Sequence, residues 1–156
     1  MTEPALVEVR LVRFPLRVWE RSQEHVDELL REFALIAESE GERPSVPRRL
    51  LALIAELTKT YAGIASSTER HRDDAIARGE TVTDLVYHVP PGVSEAIHHL
   101  GEMLDQADEY CQQGSHLLTL QTPPDQLAFR RWFLDEFSAQ LAGAPPTPWP
   151  DEATEN

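Results

Sequence analysis

Apolar side chains recur every three to four residues in four long stretches of this chain. That spacing commits most of it to helices that pack by one face. In the first stretch, about Leu16 to Glu40, Val18, Trp19, Val26, Leu29, Leu30, Phe33 and Ile36 fall within an arc of roughly 120°, and the remainder is mostly charged. Gly41 and Pro44 supply a stop of the usual kind. Ser45, Val46 and Pro47 open the second stretch, with Pro47 in its first turn. Leu50, Leu53, Ile54, Leu57, Tyr61 and Ile64 make its stripe. The pattern weakens after Ser66 and Ser67, but His71, Ala75 and Ile76 carry it on. The spacing therefore predicts one helix that bends there or extends to about Arg78, where Gly79 stops it. The third stretch spans about Val93 to Gln113, with Gly114 as its stop. The fourth starts at Pro123, Pro124 and Asp125 and ends near Gly143.

Between these stretches the period changes. Val7, Val9 and Leu11 alternate with Glu8, Arg10 and Val12, which is the period of a half-buried strand over residues 6–13, ended by Phe14 and Pro15. Residues 81–89 are rich in β-branched and aromatic side chains and fit a short strand or an extended loop equally well. Residues 116–120, HLLTL, read as another short strand. A lone strand cannot satisfy its own backbone groups, so 6–13 needs one of the other two as partner. The expectation is a mainly α chain. It is a four-helix bundle-like single domain over residues 1–143, with a small edge sheet of two or three short strands. Residues 144–156, rich in proline and acids, read as an uncovered tail. Its loss should cost little stability if Trp149, the one residue suited to pin it, is loose.

Charge narrows the function. The 156 residues carry 14 Lys plus Arg against 27 Asp plus Glu, a net charge of -13. Phosphate backbones and anionic bilayers are held by clustered cations, so neither nucleic acid nor a membrane surface is an expected partner. No apolar run approaches the ~20 residues of a membrane span. The N-terminus lacks the basic and apolar blocks of a signal peptide, and a cytoplasmic location is expected. One cysteine, Cys111, excludes an internal disulfide and cysteine-based zinc sites. It falls on the arc of Leu100, Leu104 and Ala107, the place of a small buried hydrophobe.

Catalytic fingerprints are missing. The chain contains no G-x-x-x-x-G-K-[ST], no G-x-G-x-x-G and no G-x-S-x-G. Glu95 and His98 form a single Glu-x-x-His, whereas di-iron bundles need two on different helices. His25, His71 and His99 lie in or beside the apolar stripes of different helical stretches. Three imidazoles meeting there would suit zinc with an open position, but no H-x-x-x-H pair supports that. Ordinary boundary histidines are the simpler reading, and neither metal nor cofactor is expected.

Two features point to binding. Glu95, Glu102, Asp105, Asp108 and Glu109 line one side of the third stretch, where residues 93–113 hold no Lys or Arg. Such a face is either solvated or a docking surface for a basic partner. Arg130 falls inside the apolar arc made by Leu127, Phe129, Phe133, Leu134, Phe137 and Leu141. A guanidinium there needs a carboxylate or carbonyls, because a buried unpaired charge is costly. It is read either as an architectural ion pair or as a binding arginine.

Several segments together carry a family likeness: residues 11–37, the PRRLLALIAEL run at 47–57, residues 86–124, FRRWFLDEF at 129–137 and PTPWP at 146–150. They resemble a family of small actinobacterial proteins encoded near anti-sigma-type serine kinases and STAS-domain antagonists. Thirteen Arg against one Lys, Lys59, with abundant Ala, fits a GC-rich source of that kind. The resemblance implies a non-enzymatic regulatory or protein-interaction module in a stress-response partner-switching pathway. It carries no catalytic residue with it. The alternative is a small-molecule or metal-binding helical-bundle sensor that uses inter-helix His and Arg residues.

Overall fold

A computed structural model describes residues 5–40, 45–113 and 120–150 of the chain. Strand β1 (Val7–Pro15) runs directly into helix α1 (Leu16–Glu40). Helices α2 (Val46–Thr60) and α3 (Ser66–Ala77) follow, then strand β2 (Val82–Val89), α4 (Val93–Gln113) and α5 (Pro124–Leu141). The fold is mainly helical, at 67% of the described residues, with a small two-stranded antiparallel sheet.

The stretch expected as one helix from Ser45 to Arg78 is two. The Tyr61 amide still donates to the Leu57 carbonyl at 3.0 Å, but Gly63 then takes a φ of 81°. With no Cβ, glycine enters that region freely, so the helix breaks before the serine pair rather than at it. Ser45 caps α2 by accepting from the Arg48 amide, with Pro47 in the first turn. The Arg48 guanidinium donates to the Ala37 carbonyl at 2.9 Å, which ties the start of α2 to the last turns of α1.

The strand at the N-terminus runs further than its alternation indicates. Val7 pairs with Val89, and the register continues to Leu11 opposite Leu85. It then slips by one, so that Phe14 pairs with Thr83. Val12 and Arg13 together face Asp84, which is a β-bulge. Arg13 has a φ of 60°, and its amide donates to Asp84 Oδ1 at 2.9 Å. The extra residue resets the inward phase. Val9 and Leu11 point inward, and Phe14 does too, instead of closing the strand at the surface. Residues 82–89, left open between strand and loop by their composition, pair as β2. The short strand expected at 116–120 falls largely outside the described residues.

Side chains occupy the outer edges of this sheet. Gln140 mimics a neighbouring strand: its Oε1 accepts from the Arg10 amide at 2.8 Å and its Nε2 donates to the Arg10 carbonyl at 2.7 Å. Thr68 on α3 donates its hydroxyl to the Val86 carbonyl. Both devices satisfy groups that would otherwise invite another strand.

Helix α5 packs on β1, α1 and α4, while α2 packs on α1 and α4. Helix α3 lies on β2, and its Arg72 guanidinium sits 3.8 Å from the ring centre of Trp19 on α1. Two cores result. One gathers Val9, Leu11, Phe14, Leu85, Tyr87, Phe129 and Phe137 around the sheet. The other gathers Leu29, Phe33, Leu50, Met103, Ala107 and Cys111 between the helices.

The described part of the tail is uncovered, as its composition suggests, and Trp149 is the residue that pins it. Residues 144–150 are largely exposed but tied back. The Trp149 ring stands 5.4 Å from Trp132 and 6.1 Å from Phe129, centre to centre. Its amide donates to the Val12 carbonyl at 3.0 Å, and its carbonyl accepts from Arg13 Nε at 3.2 Å. Thr147 donates its amide to Glu136 at 2.7 Å and accepts from Trp132 Nε1 at 2.9 Å. Truncation after Ala144 should therefore cost about 2 kcal/mol, a core-aromatic loss discounted for the half-buried position of Trp149. Urea unfolding of the truncated chain checks this, and an unchanged midpoint would restore the dispensable tail.

Burial also sets an alkaline limit. It pushes the Tyr87 hydroxyl up to about 12 and, together with nearby Asp108, the Cys111 thiol up to about 11. Both groups hold their protons more tightly folded than unfolded. Stability should therefore be full below about pH 9 and fall as pH rises toward 12, by roughly 2 kcal/mol for Tyr87 alone. Cys111 acts in the same direction. Melting curves across that range, with Tyr87→Phe flattening the fall, provide the check.

Candidate functional site

The two cores do not close on each other. Where they meet, α1, α4 and α5 leave a pocket of about 250 Å³. Its apolar wall draws from both sides: Trp19, Phe129 and Phe133 pack against the sheet core, and Leu29, Ile54, Leu100 and Leu104 belong to the helical core. The stripes that build the helices thus also build the pocket, because a side chain on a wide apolar arc can serve two cores at once. On one side α4 and α5 come close at Gly101, where a Cβ would meet Leu134 Cδ1 at 3.2 Å.

The pocket's polar lining is Ser22, Gln23 and His25 on α1, Thr122 just before α5, and Gln126 and Arg130 on α5. Gln126 is 8% exposed. Its Oε1 and the Nε2 of His25 are both covered and have no hydrogen-bond partner among the described residues. An orphaned buried acceptor or donor costs about 1–3 kcal/mol, so two at one cavity mark a place where a partner is wanted.

Arg130 is satisfied. Its Nη2 donates to Asp108 Oδ2 at 2.8 Å and to Asp105 Oδ1 at 3.0 Å, and its Nη1 donates to Thr122 Oγ1 at 3.3 Å. Asp108 also accepts from the amide and hydroxyl of Thr122, at 3.1 and 2.7 Å, and so fixes the approach to α5. Arg130 and Asp108 are 15% and 16% exposed, Asp105 65%. The pair is mostly withdrawn from water and binds α5 to α4.

This divides the acids of α4. Asp105 and Asp108 turn to Arg130, whereas Glu95, Glu102 and Glu109 stay exposed. Glu102 meets His98 one turn earlier at 3.1 Å. The three stripe histidines are not brought together. His25 lines the pocket, His71 Nε2 lies 3.2 Å from Thr83 Oγ1, and His99 is exposed on α4. Among the described residues no three His, Cys, Asp or Glu form a group that could hold a metal ion. Cys111 is fully buried beside Ala107 and Met103.

Sequence reasoning missed Gln126, although its signal was there. At 100° per residue it lies at the middle of the α5 arc whose edges are Phe129 and Leu127. Gln140 lies in the same arc, and Glu136 lies just beyond its Phe129 edge. All three are buried. Gln140 and Glu136 have partners within the fold, as described above, which leaves Gln126 as the buried glutamine with an unpaired oxygen among the described residues.

A scan against protein-family models, a search of curated proteins and a search of solved structures each returned no match. No helix among the described residues is long and apolar enough to cross a membrane.

Proposed function

We propose that this chain is a non-enzymatic, sensor-type module of four-helix bundle-like build, whose inter-helix pocket takes a small and largely apolar molecule. One observation carries the reading: a 250 Å³ pocket lies between the two cores, lined by aromatic and aliphatic side chains and by two residues with unpartnered polar atoms. Interiors normally pack without such gaps, and concave, mostly apolar sites with a few polar groups are the usual form of small-molecule sites. A metal is not part of the proposal. Its polar lining is one imidazole, two amides, two hydroxyls and one already paired guanidinium, a set with a single good metal ligand.

The exposed Glu95, Glu102 and Glu109 support a second role. They leave a negative face on α4, the helix that also lines the pocket through Leu100 and Leu104. A basic protein partner docking there would feel the occupancy of the pocket through one rigid helix. The resemblance to proteins encoded beside partner-switching regulators favours a partner of that signalling class in a cytoplasmic setting.

Titration with N-phenyl-1-naphthylamine, a neutral fluorophore, tests the pocket. Its fluorescence should rise to saturation near one equivalent. Leu104→Trp, which fills the cavity, should weaken binding at least about tenfold while circular dichroism stays unchanged. Non-saturable binding, or binding indifferent to Leu104→Trp, would remove the pocket as the site.

A further inference from the structure

From the groups that line the pocket we infer that its ligand is a flat, neutral molecule carrying one hydroxyl, with that hydroxyl held by Gln126 and His25. The inference rests on the reading of the pocket as a small-molecule site and specifies the chemistry of its occupant.

The ring follows from the wall. Trp19, Phe129 and Phe133 present aromatic surface from two helices, and Leu29 and Leu104 complete it with aliphatic groups. Aromatic walls favour flat π-systems, which gain stacking or edge contacts beyond simple area burial.

Neutrality follows from Arg130. Among the described residues it is the one Lys or Arg lining this pocket, and its guanidinium is already engaged by Asp105, Asp108 and Thr122. A carboxylate entering beside it would meet two carboxylates that already hold the charge. It would be buried without a counter-charge, which is strongly unfavourable. An ammonium would find those same carboxylates occupied.

The hydroxyl follows from the orphans. Gln126 Oε1 accepts only, so it needs a donor. His25 Nε2 donates or accepts according to its tautomer. A hydroxyl group both donates and accepts, so one such group has the chemistry that both atoms call for. With Gln126 Oε1 as the unpaired atom, a donor is required there, and the hydroxyl supplies it. An ether or a ketone can only accept, and leaves the amide oxygen unsatisfied.

Calorimetric titration of the wild-type protein with 2-naphthol, naphthalene and 2-naphthoate at pH 7 separates these elements. The ring should bind in each case where no charge opposes it. 2-Naphthol should bind about tenfold more tightly than naphthalene, equivalent to about 1.4 kcal/mol for one buried hydrogen bond. 2-Naphthoate should bind more weakly than either. In Gln126→Leu the tenfold advantage of 2-naphthol should disappear, while naphthalene affinity stays within about twofold. Equal affinity of 2-naphthol and naphthalene for the wild-type protein overturns the hydroxyl, and a preference for 2-naphthoate overturns neutrality. A hydroxyl advantage that survives Gln126→Leu overturns the assigned residue. All three results leave the pocket itself in place. Failure of every probe to bind overturns the pocket reading and the inference with it.

Discussion

Replacing Phe14 by Ala is expected to destabilise the fold by about 4 kcal/mol, the largest single effect foreseen here. Phe14 is fully buried, and its ring meets Phe129 edge-on at 5.4 Å and lies 6.4 Å from both Trp132 and Phe133. Truncation removes a large apolar group and the edge contacts together, and leaves a hole that β1 and α5 cannot both close. The effect depends on the bulge at Val12 and Arg13, which brings this side chain inward. Deleting Val12 should be less damaging, because it leaves one residue between Leu11 and Phe14 and a regular alternation then keeps Phe14 on the inward face. Chemical denaturation of Phe14→Ala measures the loss directly. A change under about 1 kcal/mol would mean that the aromatic cluster of α5 does not rest on β1.

The second large effect is at Arg130. Arg130→Ala should lower stability by about 3 kcal/mol, because Asp108 would keep its buried place and its bonds to Thr122 with no counter-charge. Asp105 is mostly exposed and adds little. A double variant, Arg130→Ala with Asp108→Ala, should recover part of the loss, since no charge is then stranded. Reversing Glu95, Glu102 and Glu109 to Lys should leave the fold within roughly 1 kcal/mol per site, because these carboxylates are exposed. Any weakening of partner binding in that triple variant, together with a smaller salt dependence, would then report docking rather than unfolding. Full stability without Arg130 would contradict its role as the tie between α4 and α5.

Much of the helical frame is legible in the sequence, because amphipathic stripes and terminal Gly and Pro residues are local signals. The ends of α1 and α4 read from Leu16, Glu40, Val93 and Gln113 match the structure. Tyr61–Ala65 was harder to read. Tyr61 and Ile64 continue the stripe of α2, and nothing nearby says that Gly63 adopts a positive φ. The bulge was not legible either, since it depends on the Asp84 carboxylate from a strand some seventy residues away. The same holds for the tail: its composition is that of a loose segment, and what holds it is Trp149 reaching Trp132 and the β1 backbone.

The site divides in the same way. The Arg130 pair follows from one helical wheel and one electrostatic rule, and the structure supplies its carboxylates from α4. The pocket does not follow from any stripe. Periodicity states which face of a helix is buried, not whether the buried faces fill the space between them. Gln126 carried the one local sign, an amide amid an apolar arc, and its meaning emerges only once Gln140, in the same arc, is found paired with β1 and Gln126 is not.

The central claim is that the gap between the two cores is a binding site. A crystal structure of the protein grown with 2-naphthol tests it most directly. The ring should lie between Leu29, Leu104 and Phe129, with its oxygen at hydrogen-bond distance from Gln126. A second apolar groove, of about 280 Å³, is lined by Tyr61, Ile64, Val89 and Val93; a ring seated there instead, with the space between the cores closed by its own side chains, would contradict the pocket reading.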